Sequence, residues 1–212
     1  MTLKVYEIFH SLQGETSRMG LPTVFVRLTG CPMRCTYCDT EYAFSGGKNM
    51  EIAEILQQVA SYGARYVCVT GGEPLAQKEC HALLQALCDA GYSVSLETGG
   101  AMDISKVDSR VSVILDVKTP ASGEEKNMRW DNLNWVHAKD EIKFVICSRA
   151  DYDWAKAKLD EYKLTQKCPV LFSPAFHDVP AETLAGWILQ DKLPVRMQIQ
   201  LHKILWGEKQ GV

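Results

Sequence analysis

The sequence predicts an α/β fold with a largely parallel sheet, and three observations support this prediction. Short runs of β-branched and aromatic residues alternate along the chain with amphipathic stretches of helical spacing. Several of these runs are apolar on both faces, which is typical of parallel strands covered by helices. The chain of 212 residues is shorter than a full eightfold barrel of ~250 residues. We therefore expect one domain, residues 1–212, shaped as an open or partial barrel.

The predicted elements follow one another in a regular order. Strands are expected at 4–9, 23–29, 65–70, 92–97, 111–117, 141–147, 168–172 and 195–201. Apolar residues at helical spacing predict helices around 52–59, 83–87, 155–162 and 184–188, the last with Pro180 in its first turn. The most loop-like region is 119–140. Because ligands bind at the carboxyl ends of parallel strands, we expect the functional residues at those ends.

Composition and charge exclude several classes of protein. Hydrophobic residues make up 46% and charged residues 23% of the chain, as in globular proteins. The net charge of −3 provides no basic field for nucleic acid, and no apolar run reaches the ~20 residues of a membrane helix. The amino terminus lacks the features of a secretory signal. We expect a cytoplasmic protein whose eight cysteines do not form a disulfide framework.

Three of the eight cysteines are concentrated in one loop after the second predicted strand. Cys31, Cys35 and Cys38 lie in the segment CPMRCTYC. A structural zinc site requires four ligands, and neither a second CxxC nor a suitable histidine pair is present, although a catalytic zinc site needs only three. Three cysteines can also hold a cubane cluster whose fourth iron is open to a small molecule. The spacing favours the cluster over zinc and over buried thiols without a metal.

A second motif, Thr70-Gly71-Gly72-Glu73-Pro74, ends the predicted strand 65–70. Two successive glycines allow a ligand to approach the backbone closely, since no Cβ stands in the way. Glu73 and Pro74 suit the start of a helix. The alternative is an ordinary turn between a strand and a helix.

Three further segments carry groups suited to binding. Residues 12–15, LQGE, place an amide and a carboxylate after the first strand, unless they form only an exposed polar loop. Arg27 lies mid-strand among apolar residues and needs a carboxylate or phosphate partner if it points inward. It otherwise lies on a solvent-facing edge. Asp39 and Thr40 follow the last cysteine and are suited to a hard cation such as Mg²⁺ or to a turn or helix cap.

The cysteine loop, with Tyr37 as its aromatic residue, resembles the C-x-x-x-C-x-aromatic-C signature of the radical S-adenosylmethionine (SAM) superfamily. The TGGEP segment is similar to the GGE motif of that superfamily. The resemblance implies a 4Fe-4S cluster whose open iron is chelated by the amino and carboxylate groups of SAM. One-electron reduction then releases methionine and a 5′-deoxyadenosyl radical, so the cofactors supply the difficult chemistry.

Six segments together resemble the 7-carboxy-7-deazaguanine synthase family over nearly the whole chain: LQGE, Arg27, CPMRCTYCDT, TGGEP, LETGG and QLHK. The resemblance implies a homodimer with a partial (βα)6-like TIM barrel of the radical SAM type. It implies a lyase of queuosine biosynthesis that converts 6-carboxy-5,6,7,8-tetrahydropterin into 7-carboxy-7-deazaguanine. Hydrogen is taken from C6 of the pterin, the ring contracts with loss of ammonia, SAM is regenerated and Mg²⁺ assists. An electron donor such as flavodoxin is expected.

The resemblance also assigns site residues, and it assigns no catalytic side chain because SAM and the cluster supply the radical. The cluster ligands are Cys31, Cys35 and Cys38, and the Mg²⁺ contact is Thr40. The expected SAM contacts are Tyr37, Cys38, Asp39, Gly72, Asp116, Val117, Lys118, Ser173, Pro174, Ala175 and Phe176. The expected substrate contacts are Leu12, Gln13, Gly14, Glu15, Arg27 and Thr70, with Arg27 on the pterin carboxylate.

This chain departs from the family pattern at two places. Some members have a long insertion between the first two cysteines, which this chain lacks. Residues 204–212 extend past QLHK, so the role of the tail is open, and His202 and Lys203 either reach the site or cap the last strand.

The alternative functions are a glycyl-radical-enzyme activase, which needs a protein-docking surface, and a zinc-stabilised binding module. A direct tRNA binder is disfavoured by the charge.

Overall fold

The computed structural model describes residues 1–212. The strands are β1 (Thr2–Leu12), β2 (Pro22–Leu28), β3 (Lys48–Glu51), β4 (Tyr66–Gly71), β5 (Ser93–Thr98), β6 (Ser112–Val117), β7 (Glu141–Ile146), β8 (Val170–Pro174) and β9 (Arg196–Met197). The α-helices are α1 (Ile52–Ser61), α2 (Cys80–Asp89), α3 (Arg149–Tyr162), α4 (Ala181–Asp191) and α5 (Leu201–Trp206). None of the five helices has both the length and the apolar character needed to span a membrane.

All nine strands form one sheet in the order β3-β1-β2-β4-β5-β6-β7-β8-β9. Every neighbouring pair from β2 to β9 is parallel, whereas β1 is antiparallel to both β2 and β3. The sheet does not close, because β3 and β9 are its two ends. The predicted α/β fold with a partial barrel is therefore confirmed. The cysteine loop and the glycine motif follow the parallel strands β2 and β4, whereas LQGE follows the antiparallel β1.

The two faces of the sheet differ in polarity because successive side chains of a strand point to opposite faces. Val94 and Leu96 of β5, like Val113 and Leu115 of β6, belong to a core of 39 buried residues on the face covered by the helices. The alternate positions of the same strands, apart from Ile114, carry polar side chains: Ser93, Ser95, Glu97, Ser112 and Asp116. We call this second surface the inner face of the sheet. Its polarity distinguishes it from the layers of branched apolar side chains that fill a complete TIM barrel.

Three predicted details differ from the structure. Strand β3 was not predicted, because its sequence KNME contains a single buried residue, Met50. The strand predicted at 195–201 is reduced to β9, and α5 begins at Leu201. The apolar residues after position 200 recur at helical spacing, which explains the helix. Pro180 is the N-cap of α4 and not part of its first turn.

Candidate active site

The cluster loop, which we define as residues 30–40, begins where β2 ends. Gly30 has a positive φ of 96°, a conformation that favours glycine, and turns the chain out of the sheet. Cys31, Cys35 and Cys38 are half-buried free thiols within this loop. The backbone N–H of Cys38 donates to the carbonyl of Cys35 at 3.2 Å, which closes a turn between the second and third cysteines. The loop thus gathers the three predicted cluster ligands at the carboxyl end of the sheet.

The glycine motif after β4 packs directly against the cluster loop. A Cβ atom at Gly72 would lie 2.3 Å from the carbonyl oxygen of Gly30 and 2.7 Å from the Cβ of Cys31, so a side chain does not fit there. The neighbouring Glu73 is fully buried and accepts hydrogen bonds from the Thr98 hydroxyl at 2.9 Å and the Gly99 N–H at 2.8 Å. It also caps the short 3₁₀ helix that follows. The motif therefore joins the ends of β2, β4 and β5.

The three thiols form a donor set of the kind that an iron-sulfur cluster binds. Burial raises the pKa of all three thiols, that of Cys35 to about 11, so they hold their protons in the metal-free protein. No group of three histidine, cysteine, aspartate or glutamate side chains converges on one point where an ion could bind. A structural zinc ion requires such convergence by four ligands, whereas each cysteine of a cubane binds a different iron.

A segment after β6 supports the cluster loop from outside. We call residues 119–124 the brace. The Arg34 N–H donates to Oε1 of the buried Glu124 at 2.8 Å. The Thr36 hydroxyl donates to the Ala121 carbonyl at 2.8 Å, and the Thr36 N–H donates to the Ser122 carbonyl at 3.1 Å. The role of the brace is not predictable from its sequence, because nothing in the polar segment TPASGE indicates which loop it contacts.

The brace is in turn held by a buried carboxylate at the start of α3. Asp151 is 1% exposed and accepts hydrogen bonds from the Thr119 hydroxyl at 3.0 Å and the Ala121 N–H at 3.1 Å. Ser148 caps the same helix by accepting from the Asp151 N–H. The position of the cluster loop therefore depends on a chain of hydrogen bonds that ends in α3.

A second loop, between β1 and β2, lies against the inner face of the sheet. We call residues 13–20 the plug. Gln13 is buried, and its amide donates to Oε1 of Glu97 at 3.4 Å. The hydroxyl of Thr70 donates to the other oxygen of Glu97 at 2.9 Å. Two predicted substrate contacts are thus brought together by a carboxylate of the LETGG segment that sequence reasoning had not selected.

A row of alternating charges connects the plug to the predicted SAM contacts. The Lys143 ammonium lies 2.7 Å from Glu15 Oε2 and 3.5 Å from Asp116 Oδ2, and Lys118 lies 3.0 Å from the same Asp116 oxygen. Burial alone would lower the pKa of Lys143, but the two carboxylates outweigh it and raise the pKa above its usual value. Oδ1 of Asp116 is buried without a partner. That oxygen remains available to a ligand with a hydroxyl group.

Arg27 points to the inner face and has a carboxylate partner, as its burial requires. Its Nε donates to Glu7 Oε1 at 2.8 Å, and its guanidinium lies 5.7 Å from the ring centres of both Phe9 and Tyr42. The partner therefore comes from β1 of the same chain. The contact of Arg27 with a substrate carboxylate stays a prediction. It would be made by the N–H groups of the guanidinium other than Nε–H.

The carboxyl-terminal segment reaches the site. Gln200 donates to Glu15 Oε1 at 2.9 Å and to Asp39 Oδ2 at 3.2 Å, and the Lys203 ammonium lies 3.5 Å from the same Asp39 oxygen. Burial would raise the pKa of Asp39, but Lys203 and the Thr40 hydroxyl lower it to about 2. A Cβ at Gly14 would overlap the His202 ring. His202 and Lys203 thus contact the site and do not cap the last strand.

The remaining predicted SAM contacts have unequal access to the site. The side chain of Val117 belongs to the helix-covered core, so that only its backbone is available. Ser173 and Ala175 are buried at the end of β8. Phe176 is 51% exposed, and the centre of its ring lies 4.8 Å from the Lys203 ammonium. The ring of Tyr37 lies 5.4 Å from the Lys118 ammonium. These positions surround the carboxyl ends of β6 and β8.

Comparisons with known proteins agree with this geometry. The model of the radical SAM superfamily matches residues 25–163. The 7-carboxy-7-deazaguanine synthase of Chlorobaculum tepidum is 45% identical over 208 residues, which cover 97% of this chain and 94% of that protein. The protein of the same name from Koribacter versatilis is 42% identical, with 99% of this chain and all of the relative covered.

Solved structures share the fold. The crystal structure of QueE from Escherichia coli superposes with a TM-score of 0.77 at 23% identity, and the match covers 94% of each chain. Streptococcus suis SuiB bound to S-adenosylmethionine superposes with a TM-score of 0.55 at 14% identity over 81% of this chain and 45% of that one. Given the superfamily match and the full-length relatives, this chain belongs to the 7-carboxy-7-deazaguanine synthase family of the radical SAM superfamily.

Proposed function

We propose that this chain converts 6-carboxy-5,6,7,8-tetrahydropterin into 7-carboxy-7-deazaguanine, with ring contraction and loss of ammonia. The relatives of that name align over nearly the whole chain. The observation that carries the proposal is the row Glu15, Lys143, Asp116 and Lys118, which joins the plug to the SAM side of one polar surface. A small polar heterocycle suits this surface better than an apolar ligand does, because its ring nitrogens and carbonyl can pair with the side chains.

The cofactors of the superfamily would be held by residues at the carboxyl edge of the sheet. When bound, the cluster and SAM supply a 5′-deoxyadenosyl radical for hydrogen abstraction at C6 of the pterin. Cys31, Cys35 and Cys38 would hold the cluster. The unpartnered Asp116 oxygen would accept a hydrogen bond from a ribose hydroxyl, and the exposed ring of Phe176 would pack on adenine.

The substrate would be bound by side chains that the plug and the inner face present. Arg27 would pair with the pterin carboxylate through its terminal N–H groups, since Glu7 takes up Nε. Gln13 and Thr70 would bind polar atoms of the ring system. Glu97 accepts a hydrogen bond from each of them and so holds the two side chains close together. Glu15 is held in its ionised form by Lys143, because the ammonium keeps the pKa of the carboxyl below its usual value despite burial.

Mg²⁺ would bind at Thr40, where the hydroxyl lies 2.8 Å from the ionised Asp39 carboxylate. This ion prefers oxygen ligands and retains several waters, so few protein ligands suffice. We expect Thr40→Ala to retain the cluster and to lose most of the stimulation of turnover by Mg²⁺. Turnover measured over a Mg²⁺ titration tests this assignment, and full stimulation in the variant would refute it.

We further propose that two copies of the chain associate through α5. Ile204 and Leu205 of α5 are 61% and 48% exposed, a degree of exposure that apolar side chains of this size have where they contact another molecule. Sedimentation analysis of the wild type and of Ile204→Glu, Leu205→Glu tests the association. A wild-type monomer would refute it. No specific observation favours a glycyl-radical-enzyme activase.

The decisive experiment is an anaerobic assay of the reconstituted protein with SAM, reductant, Mg²⁺ and 6-carboxytetrahydropterin. Mass spectrometry should detect 7-carboxy-7-deazaguanine that depends on both SAM and the cluster. Absence of product from a protein that holds a full 4Fe-4S cluster would overturn the substrate assignment while leaving the superfamily membership intact.

A further inference from the structure

The plug is anchored at the end of the sheet opposite to the cluster loop. Arg18 donates through Nη1 to the Ser93 carbonyl at 3.1 Å, and through Nη2 to the hydroxyls of Ser93 at 3.2 Å and Ser112 at 3.3 Å. Its guanidinium also lies 5.4 Å from the centre of the Tyr66 ring. Tyr66, Ser93 and Ser112 are the first residues of β4, β5 and β6. One side chain thus contacts the amino ends of three neighbouring strands.

Contacts along two strands show the direction in which the plug runs. On β7, the Ser17 N–H donates to Glu141, and Glu15 pairs with Lys143 two residues further on. On β5, Arg18 contacts Ser93, whereas Gln13 contacts Glu97 four residues further on. From Arg18 back to Gln13, the plug therefore advances from the amino ends of the strands toward the carboxyl ends. Two residues of a parallel strand correspond to about 7 Å along this path.

The backbone of the plug is held in an uncommon conformation by its surroundings. Thr16 has a φ of 69°, in the left-handed region that a β-branched residue rarely adopts. Its N–H donates to Gln198 at 2.8 Å, and its hydroxyl accepts from the Arg18 N–H at 3.1 Å. A conformation of this kind persists only where its neighbours enforce it. The plug would therefore change its path if the anchor were removed.

We infer that Arg18 is a positioning residue for the substrate: it sets how far the plug extends along the inner face, and so places Gln13 and Glu15 at the level where the pterin binds. The inference rests on the proposed function, because the plug is expected to contact that substrate. Arg18 itself does not contact the substrate, since it lies at the amino end of the sheet. Its effect on Glu15 passes through three residues of backbone, and Gln13 is joined to the other end of the plug by backbone hydrogen bonds with Gly20 and Leu21 at 2.8 and 2.9 Å.

The test compares Arg18→Ala and Arg18→Lys with a matched control, Arg110→Ala. Arg110 is an exposed arginine whose ion pairs are with Asp108 and Asp89 and not with residues of the plug. We expect Arg18→Ala to raise the KM for the pterin about tenfold, which corresponds to ~1.4 kcal/mol, with the KM for SAM and the iron content unchanged. Arg18→Lys should recover only part of the loss, because an ammonium cannot reproduce the planar fork of donors.

Hydrogen exchange of the cofactor-free protein provides a readout that does not depend on turnover. In Arg18→Ala, the amides of Thr16 and Ser17 should exchange at least ~tenfold faster, whereas those of the β5 core stay protected. Uniformly faster exchange would indicate a general loss of stability and would overturn the inference. An unchanged KM for the pterin in Arg18→Ala would do so as well, whereas a wild type without product would instead refute the proposed function.

If Arg18→Ala does not fold, the double variant Ser93→Ala, Ser112→Ala removes the hydroxyl partners of the guanidinium and leaves Arg18 in place. We expect a smaller increase in the KM for the pterin, about threefold, with local exchange again confined to the plug. No change in either quantity would contradict the inference.

Discussion

The cluster loop and the plug both carry side chains assigned to the reaction, and they are held in place differently. Backbone groups of the cluster loop and the Thr36 hydroxyl bond to the brace, backbone groups also bond to the glycine motif, and the cysteine thiols form none of these hydrogen bonds. In the plug, the assigned side chains form part of the support, since Glu15 pairs with Lys143 and Gln13 with Glu97, alongside the anchor Arg18. We therefore expect function and stability to be separable in the cluster loop but coupled in the plug.

The largest effect that sharpens this comparison is expected from Cys35→Ala. The variant should lose cluster assembly and SAM cleavage, because two cysteines cannot hold the cubane. The free energy of unfolding of the metal-free protein should change by less than about 1 kcal/mol, because Cys35 is half-buried and its thiol does not support the loop. Iron content and urea unfolding check both expectations. Cys88→Ala, a half-buried cysteine on α2, is the control that should retain the cluster.

Lys143→Met should have the largest effect on stability. It leaves Glu15 without its cation and Asp116 with only Lys118, and breaking a buried pair in this way costs about 3 kcal/mol. Urea unfolding at neutral pH measures the loss. Arg149→Met removes an exposed pair with Asp153, which water and salt screen, and should cost much less than the buried pair. Equal losses in the two variants would show that the charges of the inner face do not hold the plug.

Glu124→Ala should weaken the cluster loop without removing a ligand. The Arg34 N–H loses its carboxylate acceptor, a hydrogen bond worth about 2 kcal/mol. Under an iron chelator, the bleaching of the reconstituted cluster should be several-fold faster than in the wild type. Glu125→Ala, the neighbouring residue outside this contact, is the control. If both variants lose the cluster at the wild-type rate, the brace does not hold the loop.

The smallest effect concerns the pH dependence of the plug. Burial would raise the pKa of Glu15, but Lys143 and Gln200 outweigh it and lower the pKa below 4.5. A carboxyl with a lowered pKa stabilises the folded state above its unfolded pKa, and that contribution disappears as the pH falls through the folded pKa. Glu15→Gln should therefore cost about 1 kcal/mol at pH 7 and progressively less below pH 4.5. A difference that is independent of pH would contradict this expectation.

The sequence predicted the parts of the molecule whose signal is local. The cysteine spacing and the glycine motif lie within short segments, and the structure brings them together at the ends of β2 and β4. Glu97, Lys143 and Arg18 gave no such signal, because their partners lie 27 to 128 residues away in the chain. A charged residue within an apolar strand indicates burial but not its partner. Arg27 is an example, since its partner Glu7 became known only from the register of β1 and β2.

The carboxyl-terminal segment shows the same limit in another form. Its apolar residues are compatible with either a strand or a helix. The strand ends at Met197 because its pairing with β8 ends at that residue. The contacts of Gln200 with Glu15 and Asp39 depend on that helix start. Periodicity alone does not establish which loop a short terminal helix will face.

The distance in sequence between the plug and its partners has a consequence for the order of folding. Glu15 follows the first strand, but its partners Lys143 and Gln200 come 128 and 185 residues later in the chain. Contacts of such long range close large loops and form late. During synthesis on the ribosome, β1 and the plug emerge well before α5. Until then, the inner face of the sheet is an open surface of unpaired charges, and water rather than the chain itself fills it.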